Sequence, residues 1–187
     1  MNMKMNPSHS SMFMALVLLV AAVLACSGSI GNEIEKANKL VTEGNAAVQE
    51  ANKFVTDAEE KKDQMLRTKI AEIEEARTLA KEAIEAYDKA ADKCKEAAKK
   101  YEEASKLRIN DKFKEYLTLK VKEYNKRAEV VETAKGTPQA LIDSEDQESF
   151  TKRAEANNEK VDALGKEAED LASQADKLEK DNPKIFE

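Results

Sequence analysis

The segment Ala37-Asn38-Lys39-Leu40-Val41-Thr42-Glu43 recurs fourteen residues later as Ala51-Asn52-Lys53-Phe54-Val55-Thr56-Asp57. Fourteen residues are two heptads, and small or apolar residues extend the pattern in alternating steps of three and four. A stripe of this kind keeps one face of a helix against a partner helix. The repeat therefore predicts a long amphipathic helix whose stripe contains Ile34, Ala37, Val41, Gly44, Val48, Ala51, Val55 and Ala58.

The pattern continues beyond this repeat, but its phase shifts by one residue near Lys62 before a second stripe occupies residues 66–101. Neither glycine nor proline lies near the shift, so the sequence predicts one helix over residues 32–107 with a stutter or a break near 62–66. A stripe this long must be covered. Either the early part folds back near Lys62 as a helix of a bundle, or residues 32–62 project as a stalk that pairs with another copy.

A second helix is predicted for residues 111–135, where the stripe resumes in a new phase after a plausible turn at 109–111. Gly136 is expected to cap the C-terminus of this helix, since glycine is common at that position. Pro138 follows shortly after, and prolines often begin a turn or a new helical segment. Residues 136–144 are therefore expected to form a loop with a short turn.

The C-terminal helix, residues 145–181, has the most regular heptad stripe in the chain. Ser144 and Gln147 have the spacing of a capping box at its start, and Asn182-Pro183 ends it and leaves residues 182–187 as a tail. Asn157 interrupts the stripe. A polar residue there either binds a polar ligand or fixes the register of helix pairing at some cost in stability.

Composition supports an all-α fold throughout. Ala, Glu, Lys, Asp and Leu dominate from Asn32 onward, and Pro138 and Pro183 are the only prolines in that part of the chain. No segment has the pattern of a strand. We expect long amphipathic helices with heptad seams that form an antiparallel helical bundle or coiled coil, with the N-terminal helix either packed in the bundle or extended as a stalk.

The N-terminus has the plan of an export signal, with Lys4 ahead of an apolar run from Met12 to Ala25. The string Val23-Leu24-Ala25-Cys26 resembles the lipobox of bacterial lipoproteins. The resemblance implies that residues 1–25 are removed as a signal peptide and that Cys26 is acylated on sulfur. Residues 26–31 would then form a short lipid-anchored tether.

Two other interpretations of this segment stay open. An ordinary secretory signal could be cut after Ala25, because small residues suit a general signal peptidase. An uncleaved transmembrane anchor is less favoured, since it needs about 18 consecutive apolar residues and residues 12–25 supply fourteen. A disulfide between Cys26 and Cys94 is disfavoured as well, because helix between them would hold the sulfurs tens of ångströms apart.

The residue inventory argues against an enzyme. Residues 1–25 hold one Lys and no acid, so their removal leaves 30 basic against 37 acidic residues and a net charge of about −7. The only histidine, His9, would be removed too, which takes away the usual general base and a common metal ligand. The glycines fit no phosphate-binding loop. We expect no catalytic activity, cofactor, metal or small-molecule substrate.

Charge is uneven along the chain, and residues 105–127 carry eight basic residues against three acids. This segment either presents a basic face to an anionic surface or pairs with acidic neighbours inside the fold. Nucleic acid is not expected as a partner, because the chain is acidic and matches no nucleic-acid-binding motif. The residues of the candidate face are Lys112, Lys114, Lys120, Lys122, Lys126 and Arg127.

Two functions follow as expectations. The first is a membrane-anchored helical lipoprotein of the bacterial envelope, exported and held at the outer membrane or cell surface, that acts as a structural spacer, tether or protein-interaction module. Its partners would be the membrane, through the lipid on Cys26, and a protein or a second copy, through residues 34–58. The alternative is a helical binding module that captures an anionic envelope polymer, a host factor or another ligand through the basic helix 105–127.

Overall fold

A computed structural model describes residues 30–68 and 72–186 of the chain. These two ranges are almost entirely helical and contain no strand, which confirms the predicted all-α helical bundle. The helices are α1 (Ile30–Arg67), α2 (Ile73–Ser105), α3 (Asp111–Ala134), α4 (Gly136–Asp143), α5 (Gln147–Asp181) and α6 (Pro183–Phe186).

The four long helices are antiparallel, and each packs against the next long helix in the chain. Ion pairs along the α1–α2 edge show the direction: Lys61 contacts Glu82, and Lys100 contacts Glu43. α3 returns along α2, and α5 returns along α3. The short helix α4 lies against both α2 and α5 at the end of the bundle where α1 stops.

The prediction of one helix over residues 32–107 is wrong, because α1 ends at Arg67 and α2 begins at Ile73. The early part folds back as a helix of the bundle, which was one of the two alternatives, but α1 and α2 separate between Arg67 and Ile73 rather than near 62–66. The other alternative, a projecting stalk, is excluded because α1 packs along α2. The reason is that α1 and α2 both carry stripes of small apolar residues. A hairpin buries both stripes in one chain, whereas a continuous helix would leave both in water.

Small side chains dominate the α1–α2 interface and let the two helices approach closely. Two tyrosines of α2 cross this interface: the Tyr101 hydroxyl donates to Oδ1 of Asn45 at 2.6 Å, and the Tyr87 hydroxyl donates to the Glu59 carboxylate. Nine alanines of α2 have less than a tenth of their surface exposed: Ala76, Ala80, Ala83, Ala86, Ala90, Ala91, Ala97, Ala98 and Ala104.

Gly44 marks the closest approach of α1 to a large side chain. A Cβ atom added there would lie 2.9 Å from Cε1 of Tyr101, whose side chain is itself buried. The glycine in the heptad stripe therefore makes room for the tyrosine ring. Its cost in helix propensity is offset by that packing.

Residues 136–144 do not form the expected loop, because α4 occupies Gly136–Asp143 almost directly after α3. Gly136 has a backbone outside the left-handed region, so it is not the predicted C-terminal cap. Its role is close approach, since an added Cβ would lie 2.1 Å from Oδ1 of Asn157. Asn157 donates to Oγ1 of Thr137 at 3.1 Å, and thereby holds α5 in register against α4.

Both ends of α5 also differ in detail from the prediction. Asp146, rather than Ser144, is the N-cap and accepts a hydrogen bond from the Ser149 amide at 2.8 Å. Ser144 instead follows α4 with an extended backbone. At the other end the expected tail forms the single turn α6, which buries Phe186 with its ring centroid 5.0 Å from that of Tyr116.

Replacing Gly44 by alanine is expected to lower the free energy of unfolding by about 1 kcal/mol. Overpacking against Tyr101 costs roughly 1–3 kcal/mol, and the gain in helix propensity returns about 0.5–1 kcal/mol. Urea unfolding followed by circular dichroism measures the difference. Gly31→Ala is the matched control, because nothing lies within 4 Å of its added Cβ. A Gly44→Ala protein at least as stable as the parent would contradict the close approach.

The bundle is also expected to lose stability at alkaline pH. Burial raises the pKa of all four tyrosines, Tyr87, Tyr101, Tyr116 and Tyr124, and raises that of the Cys94 thiol to about 11. Because the folded pKa values exceed the unfolded ones, this contribution is complete below about pH 8.5 and declines as the pH rises towards and past the folded values. Tyrosinate absorbance should therefore appear together with loss of helicity. Ionisation of most tyrosines in a still helical protein would refute this.

Candidate functional site: the charged face of α3

Cys26, the predicted lipid-attachment residue, lies outside the described residues, which begin at Ile30. Only Ser27, Gly28 and Ser29 separate the two in the sequence. The candidate basic face is described in full, because all six of its residues lie on α3.

The six basic residues divide into two groups. Lys112, Lys114 and Lys122 lie towards solvent, and the side chains of the first two are 52% and 37% exposed. The other three, Lys120, Lys126 and Arg127, are turned towards neighbouring side chains of the fold. The predicted face is therefore not a single surface.

Glu123 is the centre of the inner group, and it was not singled out from the other acids in the sequence analysis. Its side chain is 1% exposed. Nζ of Lys120 lies 2.6 Å from Oε2 of Glu123, and Nε of Arg127 lies 2.7 Å from Oε1. Positions three before and four after a helical residue share its face, and this spacing was the signal that could have identified the cluster.

Tyr124 closes the cluster from the side. Nζ of Lys120 lies 5.0 Å from the centroid of its ring, and Cζ of Arg127 lies 5.8 Å away. Each cation is thus held between a carboxylate and an aromatic face. Burial alone would lower the pKa of Arg127, but the Glu123 carboxylate outweighs burial and the net shift of this pKa is upward.

Cys94 of α2 borders the same cluster and is a free, buried cysteine. Burial raises the pKa of its thiol to about 11, more than the nearby Arg127 lowers it. Since the thiolate is the reactive form, this thiol is protonated near neutral pH. The arrangement is that of a packed side chain rather than of a nucleophile.

Lys126 links α3 to α5. Its Nζ lies 2.6 Å from the Glu129 carboxylate and 3.1 Å from that of Glu167 on α5. Together with the Glu123 cluster, this contact means that half of the candidate face pairs with acids of the same chain: Lys120 and Arg127 with a buried carboxylate, and Lys126 with exposed ones. The alternative of intramolecular pairing holds for Lys120, Lys126 and Arg127, while Lys112, Lys114 and Lys122 remain accessible.

An open groove of about 640 Å³ lies beside this face, between α2, α3 and α5. Its lining is mixed, with an ion pair of 3.0 Å between Lys95 and Glu132 and an apolar contribution from Leu164. Over residues 30–68 and 72–186, no three His, Cys, Asp or Glu side chains are grouped so that they could hold a metal ion. No helix within the same ranges is long and apolar enough to cross a membrane.

Comparison with known proteins identifies no relative, so a function can be argued only from the residues of this chain. No protein-family model, no curated protein and no solved structure matches it at a significant level.

Replacing Glu123 by alanine is expected to lower the free energy of unfolding by about 2–4 kcal/mol, because it leaves two largely buried cations without their carboxylate. The solvent access of Lys120 and Arg127, 15% and 12% exposed, keeps the loss below that of a fully buried pair. Chemical denaturation measures it. Glu129→Ala, which removes a carboxylate that is 56% exposed, should cost no more than about 0.5 kcal/mol. If the two variants lost the same free energy of unfolding, the Glu123 cluster would contribute no more to stability than an exposed ion pair.

Proposed function

We propose that this protein is a lipid-anchored helical lipoprotein of the bacterial envelope, exported and held at the outer membrane or cell surface, where it acts as a spacer, tether or protein-interaction module. One observation carries the proposal. The helical bundle begins at Ile30, immediately after the lipobox-like string that ends at Cys26. Only three residues, Ser27 to Ser29, lie between the proposed acylation site and the first described helix.

The surface of the bundle supports an interaction role. The stripe at residues 34–58 is covered by α2, so self-association through it would have to displace α2. On α5, by contrast, only Gly165, Ala168 and Ala175 are buried. The rest of its apolar stripe is half-buried and accessible from one side: Val161, Leu164, Leu171 and Leu178.

A second candidate function is the capture of an anionic ligand through the basic helix. The exposed positions of Lys112, Lys114 and Lys122 favour it. Lys112 and Lys114 pair only with the exposed acids Glu115 and Asp111, whereas Lys120 and Arg127 share the buried Glu123 carboxylate. We assign no catalytic role to the bundle. Cys94 is buried with a raised pKa, and the one histidine of the chain is His9 in the signal segment.

Replacing Cys26 by serine in the full chain, expressed in a bacterium, is expected to abolish incorporation of labelled palmitate and to release the protein from the membrane fraction. Two or three acyl chains are needed for stable anchoring, and Cys26 is the proposed site of attachment. Cys94→Ser is the matched control and should keep both label and membrane association, because that thiol is packed inside the bundle. A parent protein that takes up no palmitate would rule out the lipoprotein assignment.

A further inference from the structure

The end of the bundle where the chain enters also contains the turn between α2 and α3. The Arg108 amide donates a hydrogen bond to the carboxylate of Glu33, in the first turn of α1. Deeper in, Ala37 of α1 shares a core cluster with Ala104 and Phe113, which flank the turn. The N-terminus of α1 and the turn between α2 and α3 are therefore in contact, so an anchor on the N-terminus of α1 would also fix the position of this turn.

The turn is rich in outward-facing basic residues. Residues 106–114, here called the basic tip, contain four basic residues and Asp111 as the single acid. Apolar and basic residues alternate in this turn. Leu107 and Ile109 pack on the core, while Lys106 and Arg108 are exposed. The charges are thus presented on the outside of the bundle end.

These charges are available to an external partner. Lys106 is 65% exposed and its Nζ lies 2.7 Å from the carboxylate of Glu102, while Lys112 is 52% exposed beside Glu115. Exposed ion pairs of this kind contribute little net stability. A phosphate group can therefore replace the Glu102 or Glu115 carboxylate as the partner of the lysine at little cost. The side chain of Arg108 makes no ion pair with any residue in the described ranges.

The proposed anchor limits how far the basic tip can be from a bilayer. Ile30 follows Cys26 by four residues, which span at most about 14 Å when fully extended. Glu33, which contacts the tip, lies within one helical turn of Ile30. Acylation of Cys26 would therefore keep the basic tip near the lipid headgroups, where the negative surface potential of an anionic leaflet acts.

At the opposite end of the bundle, the segment before α5 is acidic. Residues 143–148 contain four acids and no basic residue, and the first turn of α2 at the same end adds Glu74 and Glu75. The 38 residues of α1 separate the two ends by about 57 Å. An anionic surface would attract the basic tip and repel this acidic segment.

We propose that the basic tip, residues 106–114, is a docking surface for anionic phospholipid headgroups, and that it holds the bundle upright on the membrane that carries the anchor. The orientation rests on the proposed lipidation of Cys26. Headgroup phosphates would contact Lys106, Arg108, Lys112 and Lys114.

The test uses the full chain, expressed in a bacterium and recovered as its membrane-bound product. It carries Ser105→Cys as the attachment site of a fluorophore, because Cys94 is buried. The labelled protein is reconstituted in vesicles of phosphatidylcholine, with and without phosphatidylglycerol, that also contain a quencher on the headgroup. We expect phosphatidylglycerol to increase quenching, and high salt to reverse the increase.

Two charge-reversal variants separate the basic tip from charge in general. K106E/R108E should weaken the docked state by at least about 30-fold, because the loss of each basic residue near the surface costs about five-fold and the two added carboxylates are repelled. K152E/R153E changes the net charge equally on exposed residues of α5 near the far end, and should leave the quenching unchanged. The proposal would be overturned if phosphatidylglycerol did not change the quenching, or if the two variants changed the quenching equally.

Two further outcomes are informative in their own right. If the parent takes up no palmitate but its probe still responds to added phosphatidylglycerol vesicles, the lipoprotein assignment fails and the docking surface stands. If soluble polyphosphate shifts the probe while anionic vesicles do not, the basic tip binds a polymer and lipid docking is refuted.

Discussion

Close contact between small side chains of α1 and α2 underlies the whole bundle. An alanine buries little apolar surface by itself, so an interface of alanines gains its stability from many short contacts between helices that approach closely. A small displacement of one helix relative to the other would break many of these contacts. Gly44 and Tyr101 define one point of contact and the hydroxyl of Tyr87 on Glu59 another, and these contacts fix the register along the hairpin. α2 then presents its other side to α3.

Much of the fold could be predicted from the sequence, because heptad periodicity reports which face of each helix is buried. The helical class, the start of α3 and the end of α5 at Asp181 followed from that pattern and from proline. The reversal between α1 and α2 did not, since a stutter and a turn both shift the phase of a stripe, and only tertiary packing decides between them. Gly136 was misinterpreted for a similar reason: close approach and a left-handed cap both require glycine.

The candidate site was less predictable than the fold. Composition identified a basic segment but could not divide it, because the division depends on which side of α3 faces α2 and α5. Glu123 is one acid among many in the sequence, and only burial turns it into the shared partner of Lys120 and Arg127. The outer residues keep their charge available, so one helix combines an internal electrostatic contact with a surface that can meet anions. The proposed lipid attachment rests on the sequence around Cys26, which lies outside the described residues.

The order in which the helices pack has a consequence for how the chain folds. Each long helix contacts mainly the next long helix in sequence, so each pairing can begin beside the connection between the two helices and extend along them. Pairing that begins between residues close in sequence has a small cost in loop entropy. The α1–α2 hairpin offers a surface on which α3 can assemble, α3 does the same for α5, and the final turn places Phe186 on α3 last. A chain whose N-terminus emerges first, from a ribosome or from a translocation pore, can therefore fold one helix at a time. Each new helix packs on a helix that is already in place.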